Sequence, residues 1–334
     1  MKTTTDPPRP RRRAWDRLLL AEHMVLVLCV AAVLLFLAVE PEFASPANAG
    51  NIASNMLPLL VLAIGQTFVL VTGGIDLSIT ATMALASVLG ATIMTTDGGH
   101  LAGSPLAVPA AVAAMMAVGA AVGSGNGFSV TRLGMPPFMV TLATMMGVGG
   151  LAVWYTKSQK IYDLPDAFIE IAYGAFLGVP YGFFVVGTIA LGAHVVLART
   201  VFGRWLYAVG MNRKAAVISG VPTGRVVTTA YVASGLCAAV GSILYTARLE
   251  TGSPEIAPRI LLDVVGACVI GGTSLFGGRG KVLWTIYGVL FIAVIDNGLN
   301  LMNLSNFVIM IIKGGVILLA ALLDSVRTRH AARA

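Results

Sequence analysis

Ten apolar segments divide the chain, at 18–39, 56–72, 78–95, 105–127, 137–156, 179–198, 226–247, 261–275, 282–300 and 304–323. A run of about 20 such residues rises roughly 30 Å as a helix, which is the thickness of a bilayer's hydrocarbon core. Lipid offers a backbone no hydrogen bonds, so the form these runs take is helical. Composition agrees: 57% of the 334 residues are hydrophobic and 11% charged, with mean hydropathy +0.86. A soluble domain has about 45–50% apolar and about 25% charged residues. Secreted, nucleic-acid-binding and disordered classes are thereby excluded. The expected fold is an all-α integral membrane protein with about ten transmembrane helices. Several runs are short or broken by glycine, so some are expected to be re-entrant.

The net charge of +7 gains meaning from its distribution. With the N-terminus in the cytoplasm, residues 1–17, 128–136, 199–225, 277–281 and 324–334 carry seventeen Lys and Arg. The opposite loops carry four, namely Lys157, Lys160, Arg248 and Arg259. Positive charge accumulates on the cytoplasmic side of membrane proteins, so both termini are expected inside. Residues 1–17 and 324–334 then read as cytoplasmic tails around one membrane domain, 18–323. The apolar run after the basic start is too long for a cleavable leader, and Ala44–Ser45–Pro46–Ala47 resembles a cleavage site only weakly, so 18–39 reads as a retained helix. Within the inside loop 199–225, Asn212–Arg213–Lys214–Ala215–Ala216 favours a short helix ending before Gly220 and Pro222.

The two halves, about 56–156 and 226–323, echo each other. Residues 63–66 can be laid on 239–242, 75–78 on 260–263, 125–127 on 296–298 and 137–140 on 306–309. On the assigned topology Asn126 and Asn297 lie at opposite membrane faces, so the repeat is inverted, a pattern that gives a transporter two alternative closures of one path.

Asp76, Asp263, Asp296 and Lys313 fall within or beside apolar runs, where a charge needs a partner or a wet cavity. Lys313 is expected to pair with an aspartate. Gln66, Thr67, Thr72, Asn126, Thr141, Asn297 and Asn300 offer hydrogen bonds either to a neutral polar solute or to neighbouring helices. Cys29, Cys237 and Cys268 lie in apolar runs without metal-ligand spacing and read as packing residues. Gly277–Gly278–Arg279–Gly280–Lys281 lacks Walker spacing and reads as a tight inside turn. No catalytic constellation or metal site is evident. The chain is not expected to be an enzyme.

The stretch Gly65–Gln66–Thr67–Phe68–Val69 followed by Thr72–Gly73–Gly74–Ile75–Asp76–Leu77–Ser78 resembles the ribose-type permeases of bacterial ATP-binding-cassette sugar importers. Further matching pieces follow in order: residues 136–142, Phe202–Gly203–Arg204, Ala208–Val209–Gly210–Met211–Asn212, Ser219–Gly220–Val221, residues 269–280, Asn297–Gly298–Leu299–Asn300 and Lys313–Gly314. The resemblance covers about residues 50–325. It implies an inner-membrane permease that pairs with a second permease subunit, docks on a cytoplasmic ATPase and receives a monosaccharide or related polyol from a periplasmic binding protein. ATP and magnesium would then sit on the ATPase, with no cofactor in this chain. Gly210, Asn212, Arg213, Ala215, Ala216, Ser219 and Gly220 would meet the ATPase. Gln66, Asp76, Asn126, Phe138, Thr141, Asn297 and Asn300 would lie along the path, with Lys313, Asp263 and Asp296 forming a buried charge pairing. The alternative is a stand-alone secondary transporter of a small polar solute, with Asp76 and Lys313 as an ion-coupled site.

The chain departs from the family pattern at Gly149, where many relatives have Arg, and at Leu261, where many have Glu. Ile79–Thr80–Ala81 stands in place of Val-Gly-Ser. These changes imply a changed pairing, a heterodimer or a solute other than ribose.

Overall fold

The computed structural model describes residues 24–255 and 260–333, so the expected N-terminal tail, 1–17, lies outside the described residues. Each expected apolar run corresponds to a helix. In chain order these are α1 (Met24–Val39), α2 (Pro46–Val71), α3 (Ile79–Met94), α4 (Ala107–Thr131), α5 (Pro137–Thr156) and, after a short α6 (Asp166–Tyr173), α7 (Tyr181–Arg199). The loop expected to hold one short helix holds two, α8 (Val201–Met211) and α9 (Arg213–Ile218). Then follow α10 (Thr223–Leu249), α11 (Ile260–Ile270), α12 (Val282–Leu301) and α13 (Asn306–Arg333). The last continues through 324–333, the segment expected as a tail. A two-residue hairpin pairs Ala175–Phe176 with Val179–Pro180 beside α6.

Six helices, α2, α4, α5, α7, α10 and α12, are long and apolar enough to cross a membrane, and α1, α3, α11 and residues 306–319 are shorter apolar helices. The 11 residues of α11 rise about 16 Å, roughly half a bilayer core. It stops at Ile270, short of the expected 275, because Gly271 and Gly272 (φ 97°) turn the chain. By contrast, α2 starts ten residues before its apolar run. Pro46 occupies the first helical turn, and the Ser45 hydroxyl accepts from Asn48 N at 3.2 Å. That cap extends the helix through polar turns that hydropathy alone does not register.

The centre of the molecule is the antiparallel pair α2 and α10. Leu62 meets Gly241, and Gly65 lies against Ser234 and Cys237. Each of the two helices packs against the two helices that follow its partner: α4 and α3 on α10, and α12 and α11 on α2. The contact between α3 and α5 has a counterpart between α11 and α13.

The most extensive contact between two helices is that of α4 with α10. Gly119, Gly123 and Gly127 repeat every four residues on one face, and they lie directly on the α10 backbone at Gly235, Tyr231–Val232 and Thr228. Small residues let membrane helices gain dispersion contact where no hydrophobic drive exists between them.

Loops sort onto two faces. One holds Arg132, Arg199, Arg204, Arg213, Lys214, Arg225 and Arg279, and is termed the basic face. The other, termed the acidic face, carries Asp97, Asp163, Asp166, Glu170, Glu250 and Glu255 beside Lys157, Lys160 and Arg248.

Candidate functional site

Two polar clusters and one surface patch bring the candidate residues together. The first cluster lies near the basic face. There α2 ends at Val71, Gly73 turns the chain (φ 80°), and Asp76 is folded inward to 1% exposure. Its carboxylate accepts from Ser78 Oγ at 2.6 Å, Ser78 N at 3.0 Å and Ser234 Oγ of α10 at 2.8 Å. Asn126 Nδ2 of α4 donates to Ser78 Oγ at 2.9 Å, and Thr144 Oγ1 of α5 donates to Asn126 Oδ1 at 2.7 Å. The backbone carbonyl of Ile75 accepts from Thr141 at 3.2 Å and from Tyr231 at 3.3 Å. Four helices are thus fastened around one carboxylate by hydroxyls and one amide.

The second cluster lies toward the acidic face. Lys313 Nζ of α13 donates to Asp263 Oδ2 of α11 at 2.7 Å and to Asp296 Oδ1 of α12 at 3.0 Å. Asn300 Nδ2 donates to the Asp296 carbonyl at 2.6 Å. Asn297 Nδ2 donates to Asn48 Oδ1 of α2 at 2.9 Å, while its own buried Oδ1 has no partner among the described residues. A cavity of about 420 Å³ opens between these groups and α2.

Gln66 stands between the clusters, in the last third of α2. It is fully enclosed, and neither amide atom has a partner among the described residues. Leaving a buried polar group unsatisfied costs about 1–3 kcal/mol. Phe138, at the start of α5, is half exposed and joins neither cluster.

The surface patch occupies the basic face. Asn212 caps α9, its Oδ1 accepting from Ala215 N at 3.0 Å. Asn212, Arg213, Ala215, Ser219 and Gly220 are exposed there, but Ala216 is buried and Gly210 faces inward. A Cβ at Gly210 would run into the Val71 carbonyl and the Gly278 amide. Gly278 N itself donates to Val71 O at 2.9 Å, and Tyr207 Oη of α8 donates to Gly280 O at 2.6 Å. Burial raises the Tyr207 phenol above its ordinary pKa, which keeps it a donor. The α8–α9 elbow is therefore bolted to the end of α2 and to the turn after α11.

Sequence reasoning did not single out the apolar part of this patch. Met211, Val217, Ile218, Leu275 and Phe276 are all exposed, Phe276 at 93%. The available signal was an apolar pair, Leu275–Phe276, inside a turn otherwise built of Gly, Ser and Arg. Ser78, Thr144, Tyr231 and Ser234 were also missed, because their roles depend on which helices meet. The glycine stripe of α4 was legible as a four-residue period in 119, 123 and 127.

The comparisons with known proteins bear on this arrangement. Residues 48–321 match the family described as the branched-chain amino acid transport system / permease component. The chain belongs to this permease family. A ribose import permease of Bacillus subtilis is 39% identical over 85% of this chain and 87% of its own length. The ribose import permease of Escherichia coli K12 is 33% identical over 94% and 97%. An L-arabinose ABC transporter permease of Azospirillum brasilense is 32% identical over 96% and 92%. No solved structure matches the chain. Permeases of such importers work with an ATPase and a solute-binding protein, and the stand-alone, ion-coupled alternative finds no support among these relatives. Within the permease, two of its departures from the family pattern adjoin: a Cβ at Gly149 would stand 3.7 Å from that of Ala81.

Proposed function

We propose that this permease is the membrane-spanning subunit of an ATP-driven importer that carries a monosaccharide or related polyol inward across the inner membrane. The substrate class rests on relatives that align over nearly their whole length and are named for ribose and arabinose. The permease works as a pair, with a second copy or a related chain. A separate ATPase binds ATP and magnesium, and a periplasmic protein delivers the solute. The basic face lies in the cytoplasm, in keeping with the charge rule. The pieces α2, α3, α4, α5 and α10, α11, α12, α13 act as inverted repeats, supported by the antiparallel α2–α10 pair and by the matching contacts of the helices that follow them.

The observation that carries the coupling is the elbow. Because the end of α8, next to α9 in the chain, is held against Val71 and Gly278, a push on α9 reaches both repeats at once. ATP binding then favours one closure of the path and hydrolysis resets it. The exposed Ile218 and Phe276, with the exposed Arg213, Lys214 and Arg279 close to them in the sequence, form the surface that an acidic, apolar-floored groove on the ATPase would cover.

The test is recovery of a coexpressed ATPase with the tagged permease, together with ribose uptake in vesicles. Burying a Phe or Ile side chain contributes about 1.5–3 kcal/mol, so Phe276→Asp and Ile218→Asp are expected to weaken ATPase recovery ten- to a hundredfold. Both positions are exposed, so the membrane part stays folded. Full recovery of the ATPase by both variants would remove this surface from the coupling interface.

A further inference from the structure

One stretch of the acidic face is apolar where a water-facing loop would be polar. From Ile171 to Ala198 the chain carries no Asp, Glu, Lys or Arg. The 19 residues of α7 rise about 28 Å, which already matches the ~30 Å hydrocarbon core of a bilayer. The hairpin Ala175–Pro180 is therefore apolar chain beyond what the crossing uses.

Its tip has the same character. Leu177 (φ 51°) and Gly178 (φ 80°) both take left-handed conformations, as the two central residues of a tight hairpin turn do. In water the first of these positions suits Asn, Asp or Gly. Six non-glycine residues have positive φ among the described residues: Lys157, Ser158, Asp163, Glu250 and Asn303 are polar or charged, and Leu177 is not. Its side chain is 89% exposed, so no packing within the chain offsets the strain.

Neighbouring contacts fix where the tip points. Ala175 pairs with Pro180 and Phe176 with Val179, and Tyr181 N donates to Gly174 O at 2.9 Å, closing the base of the hairpin on the start of α7. Tyr173 Oη donates to Arg248 O at 2.9 Å, which ties the approach to the end of α10. The Phe176 ring meets that of Phe184 edge-on, with centroids 6.3 Å apart. Phe184 lies in the first turn of α7 and is half exposed, on a helix whose Val185, Leu191 and Val195 are exposed too. The hairpin thus folds back along the lipid-facing side of α7 instead of standing out from the membrane. The exposed Tyr173 and Tyr181 flank it, and amphipathic rings of this kind collect at the level of the headgroups.

We propose that the 175–180 hairpin is an interfacial anchor, with Phe176, Leu177 and Val179 seated in the leaflet beside the acidic face, where headgroups meet acyl chains. Its backbone edges are open beyond two residue pairs, which keeps it at that boundary, because unpaired peptide groups do not enter hydrocarbon. Continuity with the exposed surface of α7 makes the partner lipid, not the solute-binding protein or a second permease. Only a bilayer crossing by α7 is required, whatever solute is carried.

The experiment labels Leu177→Cys with an environment-sensitive fluorophore, in the full importer complex in lipid nanodiscs. The parent chain, with Cys29, Cys237 and Cys268, supplies the background. Emission is expected to be blue-shifted, to fall with a lipid that carries a doxyl group near its headgroup, and to resist iodide in the water. Gln159→Cys, exposed in a polar loop of the same face, is expected to show the reverse. Val179→Cys serves if the first variant fails to assemble. Iodide quenching at 177 equal to that at 159 would overturn the anchor, since the hairpin would then stand in water. Resistance to both quenchers would overturn it as well, in favour of cover by a second permease. So would protection from iodide that arises only when the binding protein is added. ATP-dependent sugar uptake by the parent complex is a separate readout: its absence would overturn the importer reading and leave the lipid quenching unchanged.

Discussion

Lys313→Met is expected to cost the permease most of its folded yield. The substitution removes the ammonium that holds Asp263 and Asp296 together at 2.7 and 3.0 Å, and leaves two carboxylates facing each other among membrane helices. Removing one partner of a buried pair costs about 3–5 kcal/mol; with Asp296 at 47% exposure, about 3 kcal/mol is expected. The measurement is the amount of monodisperse protein in mild detergent and its unfolding midpoint. Adding Asp263→Asn and Asp296→Asn to the same chain is expected to recover most of that stability, because neutral amides are far cheaper to bury than unpaired charges. A Lys313→Met protein as stable as the parent would show that the three charges are solvated in the membrane and hold no helices together.

Gly123→Leu is expected to be at least as damaging, for a different reason. A Cβ at Gly123 meets the Tyr231 carbonyl and, at 2.9 Å, the Val232 Cα, both backbone atoms of the central helix α10. Neither can turn aside as a side chain would, so α4 and α10 must separate along the whole stripe. A loss of at least about 3 kcal/mol is expected, at the upper end of overpacking penalties. The control lies two residues away. Gly125 has nothing within 4 Å of its Cβ position, so Gly125→Leu is expected to change the unfolding midpoint little. Equal effects at the two positions would mean that helix propensity, not close approach, governs this stretch.

Much of this architecture is legible in the residues. Each apolar run located a helix, six of them long and apolar enough to cross a membrane among the described residues, since the cost of exposing peptide groups to lipid leaves no other form. Their ends were less legible where hydropathy and capping disagree. Hydropathy alone missed the polar start of α2, although Ser45–Pro46 marks it, and it carried α11 past the double glycine that ends it. The residues drawn into the two polar clusters are types that sequence reading selects, namely charges and amides in apolar runs. Their partners Ser78, Thr144 and Ser234 are not, because a single hydroxyl in a membrane helix is common and acquires a role only from the helix opposite. Gly210 and Ala216 show the same limit. Both sit within a motif expected to meet the ATPase, yet both face the permease's own helices, and the most exposed apolar side chains of that face are Ile218 and Phe276.

The sequence by itself determined the fold class, the places of the apolar helices, the side on which basic residues gather, and the family. These follow from local hydropathy, charge count and residue order, which need no knowledge of neighbours. Only the tertiary structure decided that Lys313 joins Asp263 and Asp296 and not Asp76, that one polar cluster is closed while the other borders a cavity, and that the elbow meets both the end of α2 and the turn after α11. Those outcomes depend on which helices approach within a few ångströms, and hydrogen bonds and ion pairs form only at that range.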